Sequence, residues 1–255
     1  MRLTVVGSGA AFGCAGLNAS YCLDGRVLVD CGAPLHHELP RSGIDVHAPF
    51  LLLVTHFHFD HIGQIPLLLG ARALTRPDPQ PLTIGGPPGT LTYLLRVLQT
   101  GYGNHLAGLI RERMQLDDVV LQDGSDVRIG DYRVRAASVV HSTGPSLSYA
   151  VSGPDGVTIG FSGDTTMCAG LERVTAMCDL MVVECTGWDG PVHSHLWADE
   201  VAGLAGRHPR TRMVLSHVVE RRDLPGALVA HDRLSLDVPP RDAPLPAPPA
   251  ALVAG

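Results

Sequence analysis

The sequence predicts an α/β protein in which two sheets pack face to face with helices on the outside. Short apolar runs, each bounded by Gly, Pro, Asn or Asp, read as a series of brief strands. These runs fall into two strand-rich groups separated by helical segments, not into a regular βαβ alternation, which disfavours a doubly wound sheet. With 255 residues, 45% hydrophobic and 17% charged, the chain is long and apolar enough to bury one large core.

Residues 2–6 form the first expected strand and run into the glycine-rich segment Gly7 to Gly16. Strands at 21–23 and 26–30 bracket Asp24-Gly25, a hairpin-turn signal. Residues 51–55 are a buried strand candidate that leads directly into a histidine-rich segment, and 61–71 suit a short helix despite Pro66. A strand at 82–84 ends at Gly85-Gly86-Pro87-Pro88-Gly89. Residues 90–99 read as a helix with Leu91, Leu94, Leu95 and Leu98 on one side, suited to core or to an interface. The second group has strands expected at 119–121, 127–129, 132–140, 147–151, 157–161, 180–184 and 213–215, with helices near 168–177 and 197–206. These elements assign a domain to residues 1–234 and a proline- and alanine-rich surface tail to 235–255.

No apolar run is long enough to span a membrane, and the N-terminus reads as a strand, not a signal peptide. Six cysteines, with no CxxC pair, suit free and partly buried thiols in a cytoplasmic protein. The formal charge of -6 offers no global attraction to nucleic acid. All 19 basic side chains are arginines, and the local candidates Arg111 and Arg113, beside Glu112, read as ordinary surface charges.

The glycine-rich start invites a dinucleotide-binding reading, with Asp30 as the ribose acid. The spacing from Gly7 to Gly13 is not GxGxxG, however, and an Asp-Gly turn follows where a crossover helix is required. Tight turns passing near the floor of an active site are the better account.

The chemistry concentrates in His56-Phe57-His58-Phe59-Asp60-His61. In an extended segment, His56 and His58 project in the same direction, and a turn after Phe59 can bring Asp60 and His61 to the same cavity. Imidazoles with carboxylates suit zinc, manganese or iron. His141, Asp164 and His217 each follow a short apolar run, where a sheet can present them to a shared site. Together these seven residues supply enough donors for two ions.

The segment matches in full the HxHxDH hallmark of the metallo-β-lactamase superfamily, which the chain resembles over nearly its whole length. That resemblance implies a four-layer αββα sandwich with the metals at one edge. It implies that His56, His58 and His141 hold one metal, that Asp60, His61 and His217 hold the other, and that Asp164 bridges them. Two such metals can bind a hydroxide that attacks an ester, and Asp60 could also orient the attacking water. Zinc suits the three-histidine site and manganese the oxygen-rich one. A homodimer is a family expectation.

Glu184 ends a strand and His195 precedes a helix, an arrangement that resembles the ribonuclease Z subgroup. On that match Glu184 orients His195, which contacts the scissile phosphate or protonates the leaving oxygen. The alternatives for His195 are a helix cap or a surface histidine. His193 fits the spacing less well, and Cys185 reads as core filling. Only 22 residues separate His141 from Asp164, too few for the tRNA-binding arm of that subgroup. The expected activity is therefore a metal-dependent phosphodiesterase acting on a small or cyclic phosphodiester. A tRNA 3′ endonuclease, a thioester, lactone or sulfate-ester hydrolase, and a metal-stabilised binding module are the alternatives, so RNA remains a second candidate partner.

Overall fold

The computed structural model describes residues 1–240. The first half of the chain forms β1 (Arg2–Gly7), β2 (Ser20–Leu23), β3 (Val27–Val29), α1 (Leu35–Arg41), β4 (Leu51–Leu53), α2 (Phe59–Ile62), α3 (Ile65–Leu74) and β5 (Leu82–Gly86). Next come α4 (Thr90–Arg113), β6 (Leu116–Val120), β7 (Asp126–Ile129), β8 (Tyr132–Val139), β9 (Ser146–Ser152) and β10 (Thr158–Phe161). The chain continues through α5 (Ala169–Met177), β11 (Leu180–Glu184), α6 (Ala198–Arg207), β12 (Arg212–Ser216), β13 (Ala227–Val229) and β14 (Leu234–Asp237).

The strands build two seven-stranded sheets, ordered β14-β1-β2-β3-β4-β5-β6 and β13-β12-β11-β10-β9-β8-β7. Alternation along each strand sorts the core into three layers. Val27, Val29, Leu51 and Leu53 face Ile159, Leu180, Val182 and Val214 between the sheets. The intervening Leu28, Leu52 and Val54 pack outward against helix residues Leu35, Leu68, Leu69 and Leu94. Met181, Val183 and Leu215 do the same on the other sheet, against Leu171, Val174, Val201 and Leu204. Since every central strand is apolar on both faces, each sheet is covered on both, and the order helix, sheet, sheet, helix follows.

Several elements differ from the sequence expectation for identifiable reasons. The helix expected over 61–71 is two helices, and Pro66 lies in the first turn of α3, where a missing N–H costs nothing. The helix expected over 90–99 continues to Arg113 through a break at Gly103, whose φ is 75°. Arg113 donates to the carbonyls of Ala73 (2.7 Å) and Arg76 (2.8 Å), so it ties α4 to the end of α3 and is not an idle surface charge. Helix α1, preceded by Pro34 and containing Pro40, carries weak local signals and is held by burial of Leu35 and Leu39. Residues 235–237, expected to lie in the tail, are part of β14, because Leu234–Asp237 pairs antiparallel with β1 in the register Leu3 to Leu236. The remainder of that tail, 241–255, lies outside the described residues.

Cys14, Cys22, Cys31, Cys168 and Cys185 are free thiols, and Cys22, Cys31, Cys178 and Cys185 are buried. Among the described residues, no helix is long and apolar enough to cross a membrane.

The loop after β3 is packed against the histidine segment. Cys31 N–H donates to the His61 carbonyl at 2.5 Å, and a Cβ on Gly32 would stand 1.7 Å from the Asp60 carbonyl oxygen. Backbone meets backbone there, so Gly32→Ala can be relieved only by moving one of the two loops. The expected outcome is a loss of about 3 kcal/mol of stability in urea unfolding, near the upper end for overpacking, with weakened metal retention in the folded fraction.

Candidate metal centre

Parallel pairing places the C-terminal ends of β4, β10, β11 and β12 along one edge of the sandwich. His56 follows β4, Asp164 follows β10, Glu184 closes β11 and His217 follows β12. Glu184 is level with Ser216 in the β11–β12 register, which sets it beside His217. His141 comes off the end of β8. The histidine segment leaves β4 extended, with His58 at φ -66° and ψ 145°, and then turns into α2.

These ends bring all seven sequence-predicted donors together. One atom each from His56, His58, His141 and Asp164 lies within 4.8 Å of the others, as does one each from Asp60, His61, Asp164 and His217. Asp164 belongs to both sets. Its Oδ1 is 3.2 Å from His61 Nε2, and its Oδ2 is 3.4 Å from His217 Nε2 and 3.7 Å from both His56 Nε2 and His141 Nε2. Asp60 Oδ2 is 3.1 Å from His217 Nε2 and 3.4 Å from His61 Nε2.

The far sides of the imidazoles are anchored, and the anchors fix which nitrogen carries the proton. Asp30 can only accept, so His61 donates through Nδ1 to Asp30 Oδ2 at 2.7 Å. Thr55 Oγ1 donates to the same oxygen at 2.7 Å, which leaves it to accept from His56 Nδ1 at 3.1 Å. His141 Nδ1 donates to the Ser194 carbonyl at 2.9 Å. His217 Nδ1 is 2.9 Å from Thr186 Oγ1, which in turn donates to Glu184 Oε2 at 2.9 Å. Four imidazoles therefore turn Nε2, the nitrogen free to ligate, toward the centre. The fifth, His58, sets its Nδ1 3.0 Å from His141 Nε2.

Three buried atoms at the heart of this cluster, His56 Nε2, His61 Nε2 and Asp164 Oδ1, have no hydrogen-bond partner among the described residues. Leaving one buried polar atom unsatisfied costs about 1–3 kcal/mol, and three converging on a common point are explained together by a cation. Two sets of nitrogen and carboxylate donors, sharing one carboxylate, fit a pair of divalent metals. Burial pushes the His56 imidazole well below its ordinary pKa, which favours the neutral, ligating form. Burial also opposes charge on His61, but the Asp164 and Asp30 carboxylates outweigh it and hold its pKa well above the usual value in the metal-free protein. A metal competes with that proton for Nε2.

Glu184 and His195 form a third group beside the metals. His195 Nδ1 donates to Glu184 Oε1 at 3.0 Å, and the same oxygen accepts the Thr165 N–H at 2.8 Å. The His195 ring stacks on His217 at 5.3 Å between centroids and retains 19% exposure, so it fronts the cleft. Burial lowers its pKa, but the hydrogen bond and charge of Glu184 more than offset that and raise it above the usual histidine value. His195 is not a helix cap. Trp197 occupies that position, and its N–H is accepted by Glu200 at 3.3 Å. His193 is exposed, and burial pushes the Cys185 thiol up to about 12, which suits a packing role.

Sequence reasoning missed Asp30, Thr55 and Thr186. Asp30 was visible only as an acid ending a strand 26 residues before His56, and its partner is the neighbouring parallel strand β4. No local pattern discloses that pairing.

The description of a beta-lactamase superfamily domain matches residues 25–218. The ribonuclease Z of Bradyrhizobium diazoefficiens is 26% identical over 249 residues, covering 77% of this chain and 81% of that protein. The human short-form tRNase Z structure superposes with a TM-score of 0.76 at 22% identity, over 94% of this chain and 100% of that one. A diphosphatase of the PhnP family superposes with a TM-score of 0.71 at 18% identity, over 94% and 98% respectively.

Asp30 accepts three hydrogen bonds, from Thr55 N–H, Thr55 Oγ1 and His61 Nδ1. Asp30→Asn replaces one acceptor with a donor facing His61 or Thr55. It should lower affinity for one of the two metals by about 10–100-fold with the fold retained. Metal titration of chelator-treated protein, with circular dichroism in parallel, checks both halves of that statement.

Proposed function

The chain belongs to the beta-lactamase superfamily, and from that premise we propose that this metal-dependent hydrolase cleaves small phosphodiesters. The observation that carries the reading is the Glu184–His195 pair. It places a carboxylate-anchored imidazole beside both donor sets, lining the same cleft into which they open.

His56, His58 and His141 would hold one ion, Asp60, His61 and His217 the other, and Asp164 both. Bound there, divalent ions supply Lewis acidity that polarises a phosphoryl oxygen and makes water nucleophilic near neutral pH. The histidine-rich donor set favours zinc, and the set with Asp60 and Asp164 also suits manganese. The chain's own residues do the rest. Asp30, Thr55 and Thr186 fix the imidazoles so that little reorganisation is needed during the reaction. Asp60, partly open to the cleft, orients the attacking water. As the water oxygen bonds to phosphorus and releases its proton to solvent, the ester P–O bond breaks and the leaving oxygen needs a proton. His195 delivers it from Nε2, since Nδ1–H is held by Glu184 and the carboxylate favours the doubly protonated ring.

A compact substrate is supported by what lies between His141 and Asp164. That stretch folds as β9, the turn at 153–157 and β10, all within the second sheet. A second reading, cleavage of RNA, rests on the ribonuclease Z name carried by the 26% identical relative.

Hydrolysis of bis(p-nitrophenyl) phosphate by zinc- or manganese-loaded protein tests the reading. His195→Ala should lower kcat by about 10²–10⁴-fold while metal content stays unchanged. Asp60→Ala should lower activity greatly and reduce metal content. If His195→Ala loses metal to the same extent, its role is structural. If a tRNA precursor is cleaved while no small diester is, the second reading replaces the first.

A further inference from the structure

The cleft above the metals has a volume of about 810 Å³ and is charged only at its base, where His58, Asp60, Asp164, His195 and His217 lie. Among the described residues no arginine lines it, and the sequence contains no lysine. Its walls are apolar instead. Of the nine large apolar side chains exposed among the described residues, Phe12 (102%), Phe59, Val192 and Val219 stand around this cleft. Leu67 and Tyr102 line an adjoining groove that shares Phe59 with it. Scattered exposed hydrophobics need no explanation, but a cluster at one mouth marks a binding surface.

Phe12 sits at the tip of the glycine-rich loop, whose backbone is firmly held. Asp232 accepts from Ser8 N–H (3.1 Å), Ser8 Oγ (2.8 Å) and Leu17 N–H (2.8 Å). Gly9 N–H donates to the Leu17 carbonyl at 2.7 Å, and Ala10 N–H to the Val218 carbonyl at 3.1 Å, next to His217. The loop is thus fastened to the same segment that supplies a metal donor, with a fully exposed aromatic ring at its tip. Phe59 comes from the metal-binding segment itself. Two uncharged amides, Asn18 and Gln64, complete the walls.

We propose that Phe12 and Phe59 form a ring-binding wall that selects phosphodiesters whose retained ester group, the one opposite the leaving group, is flat and aromatic, an aryl or nucleoside group. The inference rests on the phosphodiesterase reading and names the substrate class for the same site. An apolar, arginine-free cleft gives nothing to the successive phosphates of a polyanion, whose binding draws on several cationic contacts. It gives a planar ring a stacking surface, which is worth about tenfold or more in affinity per base.

The test uses metal-loaded protein and three diesters with one leaving group: the p-nitrophenyl esters of methyl phosphate, phenyl phosphate and thymidine 5′-phosphate. Each rate is divided by that of uncatalysed hydrolysis. The substrates whose retained ester carries a ring should show kcat/KM about tenfold above the methyl ester. Phe12→Ala should remove most of that preference and Phe12→Tyr should keep it. Because the Phe12 ring is fully exposed, its truncation leaves the fold intact. Equal rates on phenyl and thymidine esters would mean that any ring suffices, and a higher thymidine rate would add contacts from the amides. Either result supports the wall. Equal rates on all three substrates, or a Phe12→Ala loss common to all three, would overturn it. A common loss with a dimer dissociating in sedimentation would assign the patch to a second copy instead. If no diester is turned over, the phosphodiesterase reading fails, and the wall is read from calorimetric binding of thymidine 5′-phosphate against methyl phosphate. Tighter binding that Phe12→Ala abolishes would sustain it, and equal binding would end it.

Discussion

A carboxylate withdrawn from water must be surrounded by compensating charge, and Asp164 imposes that requirement on the whole molecule. It is 2% exposed and lies within 3.9 Å of imidazole nitrogens from His56, His61, His141, His195 and His217. Those five rings arrive from α2 and from loops that follow strands of both sheets. Desolvation alone would drive such a carboxyl toward its neutral form, yet His217 and His61 hold it well below the usual carboxylate range. The arrangement is consistent only if cationic charge is gathered at that edge, so the packing of two sheets and the chemistry of the centre are a single constraint.

The backbone shows the same demand. Five non-glycine residues adopt positive φ, and three of them, Asp30 (56°), Ser194 (62°) and His217 (53°), belong to the centre or adjoin it. Each is a conformation that an L-residue occupies at a cost of about 1–3 kcal/mol. At Asp30 it lets the chain leave β3 with the carboxylate turned toward β4. At His217 it turns the ring from the strand end toward Asp60. At Ser194 it presents a carbonyl to His141 immediately before His195. The surrounding apolar layers, closed on both faces of each sheet, supply the stability that offsets these local costs.

The cleft divides its work by depth. Charge and hydrogen bonding lie at the base, where the imidazoles are anchored by Asp30, Thr55, Thr186 and the Ser194 carbonyl. The rim is largely apolar, with Phe12, Phe59, Val192 and Val219, and among the described residues no arginine lines it. Recognition by shape and stacking, and reaction by concentrated charge, are thus separated by the height of one loop. The glycine-rich segment forms that loop. It folds back on itself so closely that a Cβ on Gly9 would lie 2.5 Å from the Gly16 carbonyl oxygen. It therefore borders the cleft's rim, where the sequence reading placed it near the floor.

The amino-acid sequence by itself determined the two-sheet architecture, because period-two apolar runs with turn residues between them encode strands locally. It also disclosed the seven candidate donors and the Glu184–His195 pair, since a dense motif and residues ending apolar runs are visible without coordinates. The helix α1 and strands β13 and β14 were not legible, because their local signals are weak and long-range packing decides them. Asp30, Thr55 and Thr186 were hidden for a related reason. Their role is to touch a histidine from a neighbouring strand or loop, and such contacts are set by register. Which imidazole nitrogen faces the centre, which buried atoms converge there, and which aromatic rings border the cleft depend on distances between residues far apart in the chain. Only the tertiary structure decides these, because the energies involved, hydrogen bonding and charge in a desolvated space, exist only once the sheets have closed around them.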